Sequence, residues 1–170
     1  GYYVLRNGWT YGSTVMILSN NKSNDASNSI SAYSHNQPDN GTFELYHNGR
    51  NFFPDSGVCT YYSTGGDNTL RYWFRGIDKH NTLSLGKQNI KKAEGKLLKS
   101  EEGATELVVF ENQGYDNLKH RRAVFYVNKE FFVLVDEGIG SAEGTVNLSF
   151  NLCEGSSTEV VMDKEENGVH

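Results

Sequence analysis

His120-Arg121-Arg122-Ala123-Val124-Phe125-Tyr126-Val127-Asn128-Lys129-Glu130-Phe131-Phe132-Val133-Leu134-Val135-Asp136 reads as two β-strands around one tight link. Ala123, Phe125 and Val127 recur at every second position, so they share one face of the first strand. Asn128-Lys129-Glu130 makes the turn, because a short polar run between two apolar runs reverses a chain. Phe131 to Val135 is apolar without interruption and is expected to be the most deeply buried strand. His120-Arg121-Arg122 reads as a solvated edge at the strand start.

The same grammar extends outward in both directions. Tyr2 to Arg6 and Thr14 to Ser19 form strands joined through Asn7-Gly8, and Val15 to Leu18 is expected to be covered on both faces. Thr42 to His47 alternates, and Asn48-Gly49 turns it into Asn51 to Phe53. Further strands are expected at Val58 to Tyr62, Thr82 to Leu85, Leu97 to Lys99, Glu106 to Glu111 and Thr145 to Leu152. Asn68 to Arg75 is either a short helical turn or irregular, and the polar stretch from Asn20 to Ser34 reads as a mobile surface loop. No repeat and no long helix is present. The expectation is one all-β domain over residues 1–170, built as an antiparallel β-sandwich.

Composition agrees and removes several classes of partner. Ten Tyr, nine Phe and eighteen Gly against two Pro is the profile of short strands punctuated by turns. The net charge of −5 lacks the basic footprint of a nucleic-acid binder, although clustered cations would still allow an acidic polymer. No apolar run reaches the length of a membrane span. The first residues, Gly1-Tyr2-Tyr3, are strand-like rather than a signal peptide, which suggests a segment of something longer. Cys59 and Cys153 lack metal-type spacing and are expected to be buried free thiols.

Chemistry concentrates between His35 and Thr82. Gln37, Asp55 and His80 sit at turns or strand ends, where an amide oxygen, a carboxylate and an imidazole can meet around a cation. Unconnected polar turn residues are the competing reading of the same three. His35 can act as a general base at neutral pH, or is an ordinary surface histidine. Arg71 and Arg75 lie one helical turn apart around Tyr72-Trp73-Phe74, suited to carboxylate or sulfate and to sugar rings, or simply to docking on a sheet.

Several separated motifs occur together in one order. They are His35-x-Gln37-Pro38-Asp39-Asn40-Gly41-Thr42-Phe43-Glu44, Gly49-Arg50-Asn51-Phe52-Phe53-Pro54-Asp55-Ser56-Gly57, Arg71-x-Trp73-x-Arg75, His80-Asn81-Thr82-Leu83, and His120 to Phe125 through Val135-Asp136-Glu137. This set resembles the C-terminal part of the heparinase II/III-like polysaccharide lyases, over nearly the whole chain apart from the loop at 20–34. The resemblance implies a β-sandwich that works with an N-terminal α/α toroid, which no segment here matches. It implies β-elimination at a uronic acid in an acidic polysaccharide such as heparan sulfate, with alginate or another oligouronate as the alternative substrate. A non-catalytic carbohydrate-binding or structural module is the alternative outside the enzymes.

Carried over by position, the resemblance makes His35 the catalytic histidine and Gln37, Asp55 and His80 the ligands of one divalent metal. Arg75 and Asn81 become contacts to substrate. Gln37 at the first ligand position follows the heparinase III pattern, so the ion is calcium or zinc and its role is structural. The toroid would supply the family's catalytic tyrosine and its carboxylate-neutralising asparagine, so this chain alone is expected to be inactive. A periplasmic or secreted bacterial location is also implied.

Overall fold

The computed structural model describes residues 1–22, 37–60, 69–91 and 94–155, with the backbone of 164–165 and 168–169. The first sheet runs β1 (Tyr2–Arg6), β2 (Thr14–Ser19), β3 (Phe43–His47) and β4 (Arg50–Phe53), paired antiparallel in that order. After it come a short helix α1 (Thr69–Phe74), a 3₁₀ turn at Ile77–Lys79, and β5 (Leu83–Leu85). The second sheet is a meander of β6 (Gly95–Glu101), β7 (Thr105–Tyr115), β8 (Leu118–Val127) and β9 (Phe131–Gly140). Strand β10 (Val146–Leu148) returns to pair with β5, and β11 (Lys164–Glu165) pairs with β12 (Gly168–Val169).

The two four-stranded sheets face each other. Leu5, Met16, Leu18 and Phe43 from the first meet Val108, Phe110, Val124 and Tyr126 from the second in one buried cluster. Each such side chain stabilises by about 1.5–3 kcal/mol through the area it removes from water. A smaller cluster of Leu83, Leu85 and Leu118 sits beneath the β5–β10 pair. The expected all-β sandwich is therefore present.

Local details differ where an apolar run was read without knowing its neighbours. Strand β9 is not the most buried but an edge strand. Phe132 and Leu134 pack on the core, while Phe131, Val133 and Val135 face outward and are 41–52% exposed. Ile17 likewise faces out, so β2 is covered on one face only. Ala123, Phe125 and Val127 do share a face of β8, but it is the outer one; the inner face carries His120, Arg122, Val124 and Tyr126. An uninterrupted apolar run cannot reveal which of its two faces another layer will cover.

The turns divide similarly. Asn48 and Gly49 adopt positive φ (48° and 83°), as the hairpin reading requires, whereas Asn7 and Gly8 do not and β1 reaches β2 through a longer loop. The expected strand from Val58 does not form: Cys59 bends the chain with φ of 59° and Thr60 N–H donates to the Val58 carbonyl at 2.6 Å, while 61–62 lie outside the described residues. The strand expected to reach Leu152 stops at Leu148, and α1 settles the helical alternative for 69–74. Asn20, assigned to the surface loop, is buried and donates to the Glu111 carbonyl at 3.2 Å; residues 23–34 lie outside the described set. Both cysteines are free, but Cys59 is exposed and Cys153 half-buried, contrary to the expected burial. Among the described residues no helix is long and apolar enough to cross a membrane.

Candidate functional site

Three chain segments meet where the ends of β3, β4 and β5 crowd together. The first is the turn Asp39-Asn40-Gly41-Thr42, closed by Thr42 N–H donating to the Asp39 carbonyl at 2.9 Å. Gly41 occupies its third position with φ of 88°, a conformation that favours glycine. The second segment carries Asp55 just beyond β4, and the third carries His80 between the 3₁₀ turn and β5. Thr42 stitches all three, since its hydroxyl donates to Asp55 Oδ2 (3.2 Å) and accepts from the Asn81 N–H (3.1 Å).

Donor atoms of Asp39, Asp55 and His80 lie within 4.8 Å of one another, the geometry of a cation site. His80 is fully buried, and its Nδ1 stands 2.8 Å from Asp55 Oδ2. Burial pushes the Asp55 carboxyl up, but the hydrogen bond and charge of His80, with the Gly57 N–H and Thr42 hydroxyl, hold it below its ordinary value. Asp39 shows the opposite balance. Burial, reinforced by the charge of Asp55, raises its carboxyl to about 6 against the pull of His80 and Arg75.

The polar atoms left over argue for a ligand. Among the described residues, His80 Nε2 and Gln37 Oε1 are both buried without a hydrogen-bond partner, a state that costs roughly 1–3 kcal/mol per group. The two carboxylates held beside His80 concentrate negative charge. Imidazole nitrogen, amide oxygen and carboxylate oxygens are a donor set for a divalent cation, so the residues present fit a metal.

Sequence reading identified two members of this cluster, Asp55 and His80, and missed the third. Asp39 lies two residues beyond Gln37 on a polar turn, and nothing local in the sequence marks it as joining Asp55 and His80. Gln37 is partly buried, and its amide oxygen has no hydrogen-bond partner among the described residues. His35 lies outside the described residues.

The two residues expected on substrate are both buried in this domain. Arg75 is only 7% exposed, and its charge acts on Asp39. Arg71 is also buried, donating to the Thr60 carbonyl at 2.6 Å, while Tyr72 and Trp73 beside them are exposed, with Lys79 Nζ over the Trp73 ring at 4.8 Å. Asn81 is fully enclosed. Its amide nitrogen donates to the Phe43 carbonyl (2.9 Å) and reaches those of Phe53 (3.2 Å) and Pro54 (3.3 Å), while its amide oxygen accepts from Asn151 N–H (2.6 Å). These bonds make it a tie between β3, β4 and the chain after β10. Asn81→Ala orphans several buried backbone groups and is expected to remove about 2–3 kcal/mol. Thermal unfolding should show a drop of roughly 4–12 °C; an unchanged midpoint would refute the assignment.

The sandwich with three converging turns at one end matches known proteins. The family described as heparinase II/III-like, C-terminal matches residues 1–170, and the chain belongs to it. It is 90% identical over its full length to a heparin-sulfate lyase of Bacteroides thetaiotaomicron, and 40% identical over 98% of its length to one of Bacteroides stercoris. A crystal structure of heparinase III superposes with a TM-score of 0.91 at 90% identity, over 99% of this chain and 26% of that one. A heparan sulfate lyase of Pedobacter heparinus gives 0.85 at 37% identity, over 99% and 25%. The chain thus spans about a quarter of the length of the curated relatives it matches, 24% and 23% for the two lyases.

Proposed function

We propose that this chain is the metal-holding, histidine-bearing domain of a lyase that cleaves heparan sulfate or a related uronic-acid polysaccharide by β-elimination. The convergence of Asp39, Asp55 and His80 carries the proposal, and the buried Gln37 amide oxygen without a partner among the described residues supports it. The lyase relatives supply the substrate class. Gln37, Asp55 and His80 would hold one calcium or zinc ion, with Asp39 as a further carboxylate. When bound, the ion supplies positive charge that offsets two crowded carboxylates and ties three turns together.

Everything else falls to the chain itself. Asp55 orients the His80 ring through Nδ1, leaving Nε2 for the site. Thr42 fixes Asp55, and the turn containing Gly41 presents Asp39. His35 stands two residues before Gln37 in the sequence. In β-elimination it would take the C5 proton or return one to the departing O4 oxygen. A toroid in the longer protein would supply the remaining proton donor and the group that neutralises the uronate carboxyl. A periplasmic or secreted setting belongs to the same proposal.

The burial of Arg75 and Asn81 favours one second reading, in which the domain supports the site without contributing a catalytic group. The rise in ultraviolet absorbance from unsaturated uronate separates the two. In the full-length protein, His35→Ala should lower kcat by about 10²–10⁴-fold, whereas unchanged kcat would establish the supporting role. The 170-residue chain alone should give no turnover, and clear turnover by it would refute the divided site.

A further inference from the structure

The pair of basic residues that read as a solvated edge is interior. Arg122 is fully buried and His120 3% exposed, both on the core face of β8. Asp136 of β9 accepts from Arg122 Nε at 2.7 Å and from the second guanidinium nitrogen at 3.1 Å, and it also bonds His120 Nε2 at 2.6 Å. The remaining Arg122 nitrogen leaves the second sheet altogether. It donates to the Gly41 carbonyl at 2.7 Å and to the Asn81 carbonyl at 2.8 Å. Gly41 lies two residues after Asp39, and Asn81 directly follows His80.

We propose that Arg122, anchored by Asp136, is a positioning residue that sets the separation of the Asp39 and His80 segments and thereby the cation affinity of the site. The proposal rests on the metal reading given above. Core filling alone would not select this pair, because a buried ion pair is commonly no more stabilising than apolar residues of the same volume. What an apolar pair cannot do is hold two carbonyls from different segments at fixed distances. A planar guanidinium has donors on both sides of its fork: one side engages the carboxylate, the other the two backbone oxygens. Lysine keeps the charge but has a single nitrogen to share among all of these acceptors.

The test uses the full-length protein and the Arg122→Lys variant, with calcium and zinc as separate probes by titration calorimetry after chelator treatment. Metal dissociation constants should rise by about 10–100-fold, the usual effect of losing a residue that orients ligands. Hydrogen exchange of the metal-free protein gives a second readout. The Thr42 and Asn81 amides, which bond to the Asp39 carbonyl and the Thr42 hydroxyl, should exchange faster, while amides in the β1–β2 ladder stay protected. Unchanged metal affinity with a uniform loss of protection would overturn the proposal and leave Arg122 a core residue only. If Arg122→Lys does not fold, Asp136→Asn weakens the anchor while retaining the arginine, and the same two readouts decide. A wild-type protein that binds neither ion would defeat the metal reading itself. The exchange pattern would then still report whether Arg122 fixes the two segments.

Discussion

Gly41→Ala is expected to be among the most damaging single changes in the domain. A β-carbon there would lie 2.8 Å from His120 Nδ1, 2.9 Å from Thr82 Oγ1 and 3.0 Å from Asn112 Nδ2, all within the packed interior. The backbone φ of 88° adds strain for any side chain. Left-handed strain of about 1–2 kcal/mol and overpacking of about 1–3 kcal/mol together predict a loss of roughly 2–5 kcal/mol. For a domain of this size the melting midpoint should fall by about 4–20 °C. Cation binding should weaken alongside, because the same turn carries Asp39. A variant that melts within a degree or two of wild type would show that the turn relaxes freely, and the rigid three-segment site would be wrong.

Asp39→Asn should act in opposite directions on two measurements. In the folded, metal-free protein the Asp39 carboxyl is raised to about 6 from an ordinary 3.8, chiefly by burial. The folded state therefore holds this proton more tightly than the unfolded chain. Stability of the metal-free protein falls as pH rises from about 4 to about 6 and stays lowered above that. Near neutral pH the ionised carboxylate costs about 1–3 kcal/mol, the lower figure reflecting its partial exposure. The neutral amide removes that cost, so with chelator present the variant should melt higher than wild type, and its stability should vary less between pH 4 and 6. Added calcium or zinc should stabilise wild type and do much less for the variant. Equal metal-induced shifts in both proteins would remove Asp39 from the ligand set.

The arrangement of Arg122 explains why its role was hidden in the sequence. On a strand the side chain alternates between faces, so one position decides whether a cation meets water or the core. His120-Arg121-Arg122 contains both outcomes: Arg121 faces outward to Glu111 and Glu137, while its neighbours point in. The inward pair is tolerated only because Asp136, on the adjacent strand, stands opposite Arg122 in the register. That partner is fourteen residues away and across a turn. Asn81 has the same history, since its acceptors at Phe43, Phe53 and Pro54 lie in or just after strands closed much earlier in the chain.

By itself the sequence determined the all-β class, the Asn48-Gly49 and Asn128-Lys129 turns, and the gathering of Asp55 and His80 in one motif-bearing stretch. These follow from local rules: side-chain alternation, positive φ at short polar residues, and ligand chemistry carried on turns. Only the tertiary structure decided which face of β9 is covered, that Asp39 joins Asp55 and His80, and that Arg122 and Asn81 look inward. Each depends on which other segment lies across a gap of a few ångströms. Burial, like-charge proximity and hydrogen-bond satisfaction are properties of that pairing, and no single stretch of chain contains them.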